Sequence, residues 1–152
     1  MRTETGLTAL HIASATGNVR CVQMILDQAE ADGQTRMILD NSTNDHEETP
    51  LYVAAQYDHA SVCEALLRAK ADPSLKTHDG ETSLWIAARH GHIRTSHILA
   101  RAEPKCCVIK DEALFLTPFE VAHRFHYRSL SEWLLLAQDF GKSLVIECEW
   151  RC

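Results

Sequence analysis

Nine histidines and six cysteines in 152 residues make metal binding and nucleophilic catalysis the first chemistries to test. Residues 89–97, "RHGHIRTSH", bring His90, His92 and His97 within eight positions. On one helix His92 and His97 would stand about 140° apart around the axis, too far to share an ion. His123 and His126 are three apart but straddle an expected turn. The cysteines are Cys21, Cys63, Cys106, Cys107, Cys148 and Cys152, and none forms a C-x-x-C pair of the kind zinc sites use. Cys63 beside a histidine would make a nucleophile pair, yet it lies on the core-facing pattern of a helix. No G-x-S-x-G, Walker-type loop, H-E-x-x-H or G-x-G-x-x-G occurs. The expectation is a protein that is not an enzyme and carries neither metal nor cofactor.

The elements that must position these residues follow from length, composition and repetition. A chain of this length is one domain by size and can bury a core. Hydrophobic content of 45% and charged content of 24% are ordinary for a soluble domain. No apolar run reaches the roughly 18–20 residues of a membrane span, and no signal-peptide pattern follows Met1. The net charge of −6 argues against nucleic acid as a partner. Cysteines without a secretory signal point to a reduced compartment, cytoplasmic or nuclear, and not to secretion.

Four hexamers recur: "TALHIA" (8–13), "TPLYVA" (49–54), "TSLWIA" (82–87) and "TPFEVA" (117–122), their threonines 41, 33 and 35 residues apart. Each is followed in register by a second apolar pattern, "GNVRCVQMIL", "DHASVCEALL", "GHIRTSHILA" and "HYRSLSEWLL". Thr8, Thr49, Thr82 and Thr117 read as helix N-caps, with Pro50 and Pro118 at the first helical position. Thr117 and Glu120 fit a capping box. Nine residues after each threonine, Gly17, Asp58, Gly91 and His126 fall where a left-handed turn is needed. A short helix, a tight turn and a longer helix cannot bury an apolar face alone, so the units must stack.

This hexamer and the period near 33 resemble the ankyrin repeat family. Residues 71–92, "ADPSLKTHDGETSLWIAARHGH", follow the family pattern nearly position for position, with Asp79-Gly80 at a hairpin tip. The resemblance implies an all-α ankyrin-repeat solenoid of helix-turn-helix units joined by β-hairpin-like loops. It covers about residues 5–138 as four repeats, 5–40, 45–77, 78–110 and 113–138. Residues 139–152 are expected to form a tail packed on or capping the last repeat, because Trp133 and Leu136 leave the last helix apolar outside. Tyr52, Trp85 and Glu120 replace the family histidine that His11 keeps, and Asp58 and His126 strain turns that favour glycine. The eight extra residues of the first unit fall at about 28–36, as a longer helix or a surface loop. His11, His59 and His92 are expected to be structural, bonded to nearby backbone.

The resemblance further implies a protein partner bound on a concave face lined by hairpin tips and the ends of the first helices, with no nucleic acid, membrane or small-molecule substrate. The matching positions are Asp45, His46, Gln56, Tyr57, His78, Arg89, His90, Arg124 and Phe125. Tyr57, Arg89, His90, Arg124 and Phe125 carry the residue types that dominate interfaces. Leu114 and Phe115 lie in an unusually apolar fourth hairpin and are expected either to touch the partner or to be buried under the tail. Residues 143–152 resemble an elongin-binding box of ubiquitin-ligase adaptors, which favours a helical backbone and an aliphatic last residue. Cys152 departs from that pattern, and Val145-Ile146 lean towards a strand. A substrate adaptor is therefore the alternative reading.

Overall fold

The computed structural model describes residues 7–40 and 46–149, with side chains described up to Asp139. Four helix pairs follow one another: α1 (Ala9–Ala15) with α2 (Val19–Ala31), α4 (Pro50–Gln56) with α5 (Ala60–Arg68), α6 (Ser83–Arg89) with α7 (Ile93–Ala102), and α8 (Pro118–Arg124) with α9 (Arg128–Glu149). A short α3 (Thr35–Leu39) is inserted after α2, and a 3₁₀ turn, Pro104–Val108, follows α7. An isolated antiparallel β-bridge joins Lys76 and Thr82.

Each pair starts as the local chemistry requires. The hydroxyls of Thr8, Thr49, Thr82 and Thr117 accept the backbone N–H of His11, Tyr52, Trp85 and Glu120 respectively. Thr117 and Glu120 complete a capping box, with the Glu120 carboxylate accepting the Thr117 N–H at 2.7 Å. The turns all use the left-handed region, with φ of 67° at Gly17, 57° at Asp58, 73° at Gly91 and 65° at His126. The extra length of the first unit is shared between α2, which at 13 residues outruns α5 and α7, and the added α3.

Two layers result. The first helices stack as α1–α4–α6–α8, and the second helices stack behind them as α2–α5–α7. The 3₁₀ turn fills the step between α7 and α9, where Cys106 and Cys107 are fully buried and Gln138 Nε2 donates to the Cys107 carbonyl at 3.0 Å. The core runs through every unit, from Leu10, Val22 and Leu26 through Leu51, Val62 and Leu66 to Leu84, Leu99, Val121, Leu130 and Leu134. Val145 and Ile146, which lean towards a strand by propensity, lie inside α9, which continues unbroken to Glu149. A helix already nucleated by the buried turns at Leu130 and Leu134 propagates at little cost, which overrides a weak local preference. Residues 150–152, the end of the elongin-box resemblance, lie outside the described residues.

Candidate functional site

Successive units are locked by two recurring devices, and what the devices leave over is the candidate binding surface. The first device sits at the fourth hexamer position. His11 accepts the Thr8 N–H at Nδ1, 3.2 Å, and donates from Nε2 to the Glu48 carbonyl at 3.0 Å. The neighbouring groups thus assign the Nε2–H tautomer. One unit later the Tyr52 hydroxyl donates to the Glu81 carboxylate, and in the next the Trp85 indole N–H donates to the Leu116 carbonyl at 2.9 Å. Three different side chains therefore reach the residue just before the next cap threonine. Glu120, at the same position in the fourth pair, turns back to cap its own helix instead. Sequence reading treated Tyr52 and Trp85 as departures, although a buried donor at that position was the shared signal. The capping role of His11 was likewise missed.

The second device sits ten residues after the cap threonines of the later units, whereas Asn18, at this place in the first, caps α2. His59 Nε2 donates to the Ala15 carbonyl, and His92 Nε2 to the Gln56 carbonyl, both at 3.0 Å. Tyr127 takes this place in the fourth pair. A Cβ added at Gly17 would stand 2.6 Å from the His59 ring, and one added at Gly91 would stand 2.5 Å from the Tyr127 ring. Asp58 tolerates the same turn because its carboxylate is used: Thr95 Oγ1 donates to it at 2.7 Å, and His92 Nδ1 is 3.9 Å away. The hairpins are joined as well, His78 N–H to the His46 carbonyl at 3.0 Å and Glu112 N–H to the Asp79 carbonyl at 2.9 Å.

Against this frame the expected contact residues separate. Tyr57 and Phe125, at equivalent C-caps of α4 and α8, are 56% and 45% exposed. The Tyr57 ring lies 6.4 Å from that of His59 and otherwise faces out. Arg124 beside Phe125 is exposed, as are His46 and His78 on the hairpins, whereas Gln56 is half-buried and its carbonyl belongs to His92. Among the described residues Leu114 and Phe115 are 50% and 70% exposed. Their loop is built, not slack. The buried Asp111 carboxylate accepts the Leu114 and Leu116 N–H groups at 2.6 and 2.8 Å, holding Phe115 at φ 56° with its ring outward. Asp45 lies outside the described residues.

Arg89 differs from the free contact its position suggested. Its guanidinium stands 3.6 Å from Glu81 and 5.6 Å over the Trp85 ring, so it closes the Tyr52–Glu81 pair. Burial raises the Glu81 carboxyl, with the Tyr52 hydroxyl and Arg89 opposing the rise, and burial beside Glu81 pushes the Tyr52 phenol up. His90 stacks on His92 at 5.5 Å, and burial, with His92 and Arg89 nearby, lowers it, so it is uncharged at neutral pH. Burial pushes the Cys63 and Cys106 thiols up to about 12 and Cys107 to about 11, which leaves their thiolates unpopulated at neutral pH.

The geometry agrees with the sequence relationships. NF-kappa-B inhibitor alpha of Gallus gallus is 31% identical over 99 residues, 65% of this chain and 30% of that protein. The Rattus norvegicus protein of the same name is 28% identical over the same length. The human transient receptor potential cation channel subfamily A member 1 is 31% identical over 103 residues, 68% of this chain and 9% of the channel. The chain thus spans under a third of the length of these relatives. The family profile described as ankyrin repeats (3 copies) matches residues 1–77 and 33–112. With the cap threonines, the left-handed turns and the unit-to-unit locks in the same register, the chain belongs to the ankyrin repeat family.

Proposed function

We propose that this protein binds a partner protein on the face made by its hairpins and first-helix ends, using Tyr57, Phe115, Arg124 and Phe125 as anchors. Ankyrin repeats are a protein-interaction module, and one set of relatives is named as inhibitors of NF-kappa-B. The observation that carries the choice of face is the outward display of large aromatic rings from backbone that is held in place. Tyr57 and Phe125 cap rigid helices, and Phe115 is aimed outward by the buried Asp111. Anchors displayed without reorganisation lose little entropy on binding, which is what hot spots require. Arg89 serves this face from behind, because its Glu81 pair and Trp85 contact fix the α6 end.

The test is a triple replacement, Tyr57→Ala, Phe115→Ala and Phe125→Ala, in the full chain. Once a partner has been captured with the parent and identified, the triple variant should bind it at least about 100-fold more weakly, each hot-spot ring being worth about 2 kcal/mol or more. Its thermal midpoint should hold, since all three rings are exposed. Equal binding by both proteins refutes the assignment of this face. Arg89→Ala, by contrast, should lower stability by about 1 kcal/mol or less, because Glu81 keeps the Tyr52 hydroxyl and loses only a partly exposed cation.

A further inference from the structure

The four helix pairs are equivalent position by position, and two sets of positions that are covered inside the stack stand open at its ends. Val53, Ile86 and Val121 are buried, whereas Ile12 at the same place in the first pair is 47% exposed. In the second helices Val62, Thr95 and Leu130 are fully buried, whereas Cys21 is exposed. Leu66, Leu99 and Leu134 are fully buried where Ile25 is half-buried. Positions covered in every pair but the first are those that meet a preceding pair. The complementary set opens at the other end. Leu10, Leu51 and Leu84 are buried, whereas Phe119 is half-buried. Ser14, Ala55 and Ala88 are fully buried, whereas His123 is exposed. Leu135 is 45% exposed where Leu26 and Ala100 are buried and Leu67 is half-buried. These positions meet a following pair.

The two open faces are therefore the two halves of a contact that the first layer already makes three times, α1 with α4, α4 with α6 and α6 with α8. On the last face Phe119, His123 and Leu135 line a groove of about 480 Å³, and Arg128 and Glu132 on its wall are of opposite sign. On the first face Ile12, Ile25 and the exposed Met24 are apolar. Arg20 and Asp27 stand at places that are exposed in every pair, outside the contact. Solenoid ends that stay in water carry polar outer faces, and Ile12, Met24, Phe119 and Leu135 do not supply one.

We infer that the occupant of these end faces is a second copy of this chain, stacked head to tail so that α8 and the start of α9 of one copy cover α1 and α2 of the next. The contact continues one the chain already makes, and the same chain carries both halves of it. Its strength is limited. Glu120 caps its own helix instead of reaching forward, and Asn18 caps α2 instead of reaching back, so both unit-to-unit hydrogen bonds are missing. Apolar burial alone remains, which gives reversible association. Contacts between unlike faces do not close as a two-fold dimer does, so assemblies lengthen with concentration. Each added copy continues the row of hairpins, which presents any partner of that face with repeated sites. The self-association itself stands whether or not the hairpin face binds a partner.

The experiment is sedimentation velocity on the full chain from about 5 μM to about 1 mM. The parent should grow past the dimer, with half-association at about 10–100 μM. Ile12→Asp closes the first face and Leu135→Asp closes the last; both side chains are exposed, and circular dichroism of each variant confirms folding. Each variant alone should be monomeric, because its open face meets only closed ones. An equimolar mixture of the two should form a one-to-one dimer and nothing longer. Cys21→Asp and His123→Asp should reproduce this pair of results, and Tyr57→Ala should associate like the parent. A parent that stays monomeric at about 1 mM overturns the inference, and so does a mixture that stays monomeric. A single variant that still dimerises overturns it as well, by assigning its remaining face to a two-fold contact. Loss of association in Tyr57→Ala would move the contact to the hairpin face and likewise overturn it.

Discussion

Glu81 and Glu120 stand at neighbouring points of the same frame and respond to pH in opposite senses. Backbone and hydroxyl bonding at Thr117 holds Glu120 below the ordinary carboxyl value of 4.5, so its contribution to stability is present above that pH and is lost as pH falls through the lowered value. Burial raises Glu81, so the folded state binds its proton more readily, and stability declines as pH rises from 4.5 through the raised value. Glu120→Gln should therefore cost about 1 kcal/mol at pH 7, typical of a lost charged cap, with the difference from the parent vanishing at pH values well below 4.5. Urea unfolding across that range measures it. A constant difference at every pH would mean that the charge of Glu120 contributes nothing. The capping residues at this position were legible from T-x-x-E spacing alone, whereas the His11 and Tyr52 bonds were not, because their acceptors lie 37 and 29 residues away in the chain.

The turn between the helices of each pair is set by two demands, and glycine answers both. A left-handed φ excludes most residues on local grounds, and the ring of the next unit excludes a Cβ on tertiary grounds. Gly33 and Gly91 separate these demands, since both have positive φ, 67° and 73°, but only Gly91 has a ring pressed against it. Gly33→Ala should cost about 1 kcal/mol, the left-handed penalty alone. Gly91→Ala should add about 1–3 kcal/mol of overpacking against Tyr127. Equal losses in thermal or urea unfolding would show that the ring can move aside. The need for a left-handed residue was readable from the position after each hexamer, and even Asp58 and His126 obey it. That Asp58 is relieved by Thr95 could only be seen once α5 and α7 were packed.

Across the whole molecule, stability is held in contacts between adjacent units, because no helix pair buries its own apolar face. The buried thiols report on this. Cys63 lies in the second pair, and Cys106 and Cys107 lie between the third and fourth. Peptide-resolved alkylation in native buffer should label Cys21, which is exposed, and spare Cys63, Cys106 and Cys107, which are buried. With rising urea, Cys63, Cys106 and Cys107 should become reactive over one common transition, as nearest-neighbour coupling requires in so short an array. Labelling of Cys106 and Cys107 at clearly lower urea than Cys63 would show that the fourth pair unfolds independently.

The sequence by itself determined the units, their register, their caps and the handedness of their turns, because these depend on residues within about ten positions of one another. That His59 and His92 are structural was legible from their place just after the turn in the second and third copies, but not their acceptors, which lie 44 and 36 residues away in the preceding unit. Only the tertiary structure decided which outward-facing residues remain free. It tied Arg89 to Glu81 and Trp85, left Tyr57, Phe115 and Phe125 exposed, and carried Val145 and Ile146 into a helix against their propensity. Each of these depends on side chains from different units meeting in space, and a linear pattern records the periodicity of stacking without recording what the stacked neighbours do to one another.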